Sequence, residues 1–220
     1  MSIRPGKPIR VEDHVREDAD NLFRRFTDDF ISGNCVPHPF DVGANLIART
    51  AHSALTLLDD MAKSLAKPIA PAWRIDFEGL AVIEVYPAAT LASRGIPHEG
   101  YKSRKEPPPP NVVSVREDII NKLKQIENVC ISVETSDLLK NDNILDAVVC
   151  ALAGADFLRG ETFEPEGELE KELAHREGWI WCRKPGLENG ITLKTCEPVR
   201  RQLFLWGNDN YFSRPTTIIF

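Results

Sequence analysis

Apolar residues recur at helical intervals through much of the chain. In residues 11–32, Val15, Leu22, Phe26 and Phe30 stand at near-helical spacing in a charged segment, which predicts an amphipathic helix. A longer helix is expected over 41–67. Asp41 is placed to cap it, and Ile47, Ala51, Ala54, Leu58, Met61 and Leu65 form its stripe. Prolines in "KPIAPAW" end it. Residues 80–86 then read as a strand buried on both faces, stopped by Pro87. "EPPPP" predicts an extended linker or surface loop. Beyond it, Ser114 and Glu117 have capping-box spacing ahead of a helix lined by Val115, Ile119, Leu123 and Ile126. "VCISVE" reads as a short strand. "NDNILDAVVCALAGADFLRG" is apolar nearly all round, so a buried helix closed by Gly160 is expected. "PEGELEKELAHREG" predicts a short charged helix ending at a glycine. In the tail, "WIWC", "ITLKTC", "RQLFLW" and "TTIIF" alternate like short strands. No internal repeat is present.

Two acidic residues interrupt this pattern. Glu84 lies mid-strand between Ile83 and Val85, on the face shared by Val82 and Tyr86. A buried carboxylate without a partner is costly, so hydrogen bonds, a cation or a metal must meet it. Asp146 interrupts Ile144, Leu145, Ala147, Val148 and Val149 in the same way, with Asp142 and Asn143 one turn back. Such oxygen ligands suit a hard cation such as magnesium. Other roles stand beside that one. Asn141, Asp142 and Asn143 are all good N-cap types, and Asp146 has Arg49 as a candidate partner.

Composition narrows the classes. The chain has 220 residues, 42% of them hydrophobic, enough for the core of one compact domain or of one domain with an appendage. Its net charge of −6 disfavours a duplex binder relying on charge alone. The polar start "MSIRPGKPIR" lacks a secretory h-region, and no apolar run is long enough to span a membrane. Cys35, Cys130, Cys150, Cys182 and Cys196 show no CxxC or zinc-ligand spacing, as expected of reduced thiols in a cytoplasmic protein. The histidines show no ligand spacing, and no phosphate-cradling glycine loop recommends a small-molecule enzyme.

The segments "VIEVYPAATLASRGIPHEGYKS", "NDNILDAVVCALAGA" and "HREGWIW" resemble successive signatures of the domain-of-unknown-function family 429. That family is regarded as RNase H-like and is labelled a predicted nuclease. Its Glu-Val-Tyr-Pro, Tyr-Lys, Asp-Asp-x-x-Asp-Ala and Glu-Gly-Trp-Ile patterns fall on residues 84–87, Tyr101 with Lys102, residues 142–147 and residues 177–180. Two departures stand out. The family's early Gly-x-Asp-Gly and Asp-x-Pro-Leu-Gly strands have no counterpart in residues 1–40. The acidic pair is Asp142 with Asn143, an amide being a poorer magnesium ligand.

The resemblance implies an α/β, RNase H-like fold, N-terminally truncated. A partial RNase H-like domain would span residues 1–183 and a β-rich C-terminal extension residues 184–220. It also implies metal-dependent phosphodiester hydrolysis by two magnesium or manganese ions about 3.5–4 Å apart. Glu84 and Asp146 would be catalytic, and Glu84, Asp142, Asn143 and Asp146 the metal ligands. Lys102, with Arg104 and Lys105, would touch the phosphates of a nucleic acid. Trp179 and Trp181 read first as packed residues and second as base-stacking ones. A strand at 80–86 without its neighbours leaves edges for the C-terminal strands, a second copy or another protein to fill. The alternative function is a non-catalytic scaffold binding protein or nucleic acid, with both carboxylates held by protein cations.

Overall fold

The structure is a computed structural model that describes residues 25–35, 45–75, 77, 80–126 and 130–187, with side chains 45–51 also outside the description. It is an α/β arrangement, mostly helical, with a two-stranded parallel sheet. The chain divides into two compact units, one holding residues 1–84 and 164–180, the other residues 85–163 and 181–220.

In the first unit, α1 (Phe26–Asn34) packs against α7 (Gly167–Glu177). Ile31, Leu173 and Ala174 are buried there. Trp179 lies against Phe26 and Phe30, with ring centroids 6.3 and 5.0 Å away, so the packing role expected of this tryptophan holds. Residues 15 and 22 of the expected first helix fall outside the described residues, and the described helix runs on to Asn34. Next comes α2 (Asn45–Leu65), the long helix the stripe predicts. None of its described side chains is buried, and Leu55 is 68% exposed. Its expected cap, Asp41, lies outside the described residues.

The sheet is smaller than its sequence suggests. β1 (Ile69–Pro71) pairs in parallel with β2 (Leu80–Val82), Ile69 opposite Leu80 and Pro71 opposite Val82. β2 stops at Val82, and all three of its residues are half-buried, not buried. Glu84 then makes a single parallel bridge to Ile180. The N–H of Ala72 donates to Val82. Alternate residues of a strand bond to opposite neighbours, so Pro71 faces the outer edge, the position a strand proline tolerates.

The second unit is helical. Pro87 does more than stop a strand: it is the first residue of α3 (Pro87–Ala92), its fixed φ suiting a helix N-terminus. Prolines do the same for α4 (Pro110–Lys124), whose N-cap is Pro109. Ser114 and Glu117 therefore lie inside this helix and form no capping box. The expected stripe is right: Ile119, Leu123 and Ile126 are buried and Val115 packs against them. Cys130 to Glu134 form no strand, and α5 (Thr135–Lys140) follows directly. α6 (Asp142–Arg159) begins as expected, with the Asn141 side chain accepting from the Asn143 N–H at 2.8 Å. It ends at Gly160, whose φ of 72° is the left-handed region that favours glycine. α6 packs against α3 and α5, α5 also against α4, around Leu91, Tyr101, Ile119, Leu138, Leu145 and Val149. Trp181 packs edge-on against Phe157; "WIWC" supplies one isolated bridge, at Ile180, and not a full strand, and Arg183 just beyond it bridges to Thr162. The later strand candidates, "ITLKTC", "RQLFLW" and "TTIIF", lie outside the described residues. No helix among the described residues is long and apolar enough to cross a membrane.

Candidate functional site

Glu84 belongs to the first unit and is not in a dry place. Its side chain is 43% exposed. β2 ends two residues earlier, so the carboxylate leaves the sheet instead of lying inside it. It is met by Arg25 in a two-point fork, NH1 to Oε2 at 2.9 Å and NH2 to Oε1 at 2.7 Å. The same guanidinium holds Asp28, 4% exposed, and donates to the Glu177 carbonyl at 3.2 Å. Burial works against the charge on Arg25, but Glu84 and Asp28 outweigh it and raise its pKa well above the ordinary arginine value. Gly178 makes room for this pair. Its φ is +90°, and a Cβ there would stand 3.0 Å from Glu84 Oε2 and 3.2 Å from Arg25 NH1. The Phe26 N–H donates to Glu177 and the Ile180 N–H to Thr27 Oγ1. Arg25 thus fastens the start of α1 to the end of α7 and to Glu84 just beyond β2.

Asp146, in the second unit, is 19% exposed and held from two directions. The Tyr101 hydroxyl donates to Oδ1 and the Lys102 ammonium to Oδ2, each at 2.8 Å. Lys102 also stands 5.6 Å from the centroid of the Tyr101 ring. Arg49, the partner considered from the sequence, has its side chain outside the described residues. Asp142, one turn earlier, accepts from the Ser103 N–H at 3.3 Å and faces Arg116 at 3.7 Å. Burial, with the nearby Asp146 charge, drives the Tyr101 hydroxyl far above the ordinary phenol range. Cys150 follows Asp146 on the same face of α6, and burial first, then Asp146, pushes its thiol up to about 12. The loop of residues 101–103 and the first turns of α6 therefore make one polar cluster: Tyr101, Lys102, Asp142 and Asp146. Arg104 and Lys105 are exposed on the same loop.

A chain-matching family model, described as Protein of unknown function (DUF429), covers residues 8–170. The chain belongs to this family. No curated protein and no solved structure matches it. All four DUF429 signatures read from the sequence lie among the described residues, the Glu-Gly-Trp-Ile one beside Arg25 and Thr27 of the first unit. The strand signature supplies an ion pair to the first unit, while the Tyr-Lys and Asp-Asp-x-x-Asp-Ala signatures meet each other in the second. Asn143 gives its backbone N–H to the cap of α6. Among the described residues no three His, Cys, Asp or Glu side chains gather as a metal-holding group.

Sequence reasoning missed a second charged cluster, at the far end of α6. Asp156 is fully buried, and its Oδ1 receives the guanidiniums of Arg94 and Arg159, with Arg183 3.9 Å away. Glu161 pairs with Arg159 and Arg183 as well. Burial raises the pKa of Asp156 despite these arginines and lowers that of Arg94. Burial also opposes the Glu161 charge, but Arg159 and Arg183 hold its carboxyl below the usual range. The only sequence signal was Asp156 followed by Arg159 at helical spacing.

Proposed function

We propose that this chain is a non-catalytic member of its family that keeps an RNase H-like frame as a binding scaffold for a partner protein. One observation carries the reading: Glu84 and Asp146, the two carboxylates expected to be catalytic, each have both oxygens engaged by donors of their own unit. A divalent ion would have to displace Arg25 from one or Lys102 and Tyr101 from the other. Asn143 adds only a neutral amide. This donor set does not fit a two-metal centre, which needs several unengaged carboxylates. The net charge of −6 favours a protein partner over a phosphate backbone. Among the described residues Cys35, Cys130, Cys150 and Cys182 form no disulfide, which suits the cytoplasm. Calorimetric titration with magnesium or manganese, followed by incubation with single- and double-stranded DNA and RNA, tests it. Neither binding nor cleavage is expected. Sub-millimolar metal binding with cleavage that Asp146→Ala abolishes would overturn it.

A second reading, metal-dependent phosphodiester hydrolysis, is favoured by the exposure of Lys102, 58% at its side chain. Moving so exposed an ion-pair partner costs only about 0–1 kcal/mol. Asp142, Asn143 and Asp146 would then take magnesium or manganese and Lys102 would meet a phosphate of the nucleic acid, with a second copy or another polypeptide supplying the missing ligands. Lys102→Ala separates the two: the hydrolase reading requires manganese binding to strengthen, the scaffold reading requires none.

A further inference from the structure

Arg116 has no place in the sequence patterns above, yet it stands behind the Tyr101–Lys102–Asp146 cluster. It projects from α4 with a side chain only 1% exposed. Its Nε donates to the Tyr101 carbonyl at 2.7 Å and NH1 to the Leu139 carbonyl, near the end of α5, at 2.8 Å. NH2 faces Asp142 Oδ2 at 3.7 Å, and that oxygen accepts from the Ser103 N–H. The backbone is therefore held on both sides of Lys102: at the carbonyl before it by Arg116, and at the N–H after it by Asp142, which Arg116 faces. A planar guanidinium reaches two carbonyls and a carboxylate from three separate nitrogens; a lysine ammonium has three donors on one nitrogen and cannot span acceptors set so far apart.

We propose that Arg116 is the positioning residue of this cluster, fixing the backbone around Lys102 so that the Lys102 ammonium and the Tyr101 hydroxyl both meet Asp146. The cluster is the one the hydrolase reading would use, but the proposal stands on its geometry and its test uses neither binding nor catalysis. The rate at which an amine-reactive ester labels Lys102 is measured on the full chain by mass spectrometry, relative to Lys171 on α7. In Arg116→Lys this ratio is expected to rise about two- to five-fold, the range for release of an exposed ion pair, and to approach that of Asp146→Asn. Ile119→Ala, a buried change on the same helix, controls for general loosening and is expected to leave the ratio unchanged. Should Arg116→Lys fail to fold, Asp142→Ala removes the acceptor on the other side of Lys102 and is expected to raise the ratio as well. A ratio that stays at the wild-type value in both variants, or rises equally in Ile119→Ala, overturns the proposal. If the ratio moves as expected while metal-dependent cleavage is found, the positioning role stands and the scaffold reading falls.

Discussion

Asp146 and Asp156 lie on the same helix, each beside basic side chains, and the surroundings give them opposite characters. Asp156 is sealed, with Arg94 and Arg183 each 1% exposed beside it. Asp146 is half-open, and its lysine is mostly in solvent. A desolvated carboxylate cannot lose its cations without leaving a buried charge, so Asp156 locks α6 to the segments that carry Arg94 and Arg183. A partly hydrated carboxylate can exchange its lysine at little cost, while Tyr101 keeps hold of the other Asp146 oxygen. The contrast shows that a carboxylate on an apolar helix is not by itself a site; access decides.

The contrast can be broken most directly at Asp156. Asp156→Ala is expected to cost about 3–5 kcal/mol in urea unfolding, the range for removing one partner of a buried ion pair. A loss under about 1 kcal/mol would remove the lock. The alkaline limb comes next. The Cys150 thiol is raised from 9.0 to about 12, so between those values the unfolded chain ionises while the folded one resists. Stability should therefore fall as pH rises above about 9, by at most about 1.4 kcal/mol per pH unit. The raised Tyr101 hydroxyl acts in the same direction from higher pH. Unfolding measured at pH 8 and pH 10 in Cys150→Ser should lose the earlier part of that fall. Asp146→Asn leaves Tyr101 an acceptor and removes only the ion pair, so about 1 kcal/mol or less is expected. Lys102→Ala should change stability by about 0.5 kcal/mol or less. If either of the last two matched Asp156→Ala in urea, Asp146 would be structural too.

Much of the helical frame was legible because its signals are local. Asn141 and Gly160 bracket α6, Gly178 follows α7, and the Ile119, Leu123 and Ile126 stripe marks α4. Each depends on neighbours within a turn or two. Proline at a helix start was misjudged, since Ser114 and Glu117 offered a rival start with an equally local mechanism. The ion pairs were beyond such reading. Arg25 is 59 residues from Glu84 and Arg94 is 62 from Asp156, and no periodicity links positions so distant. The apolar run at 80–86 suggested a fully buried strand, but tertiary context gave it a three-residue pairing and left Glu84 at an exposed clamp. The Tyr101, Lys102 and Asp146 grouping was partly visible, through the family resemblance and not through spacing.

Pro71 has a consequence for assembly. A strand joining the outer margin of β1 would look for backbone donors there, and this residue has none to give. Zipper-like growth of the sheet, whether by a sister molecule or a foreign chain, is interrupted on that side, so a partner meeting that margin would have to engage side-chain surfaces instead.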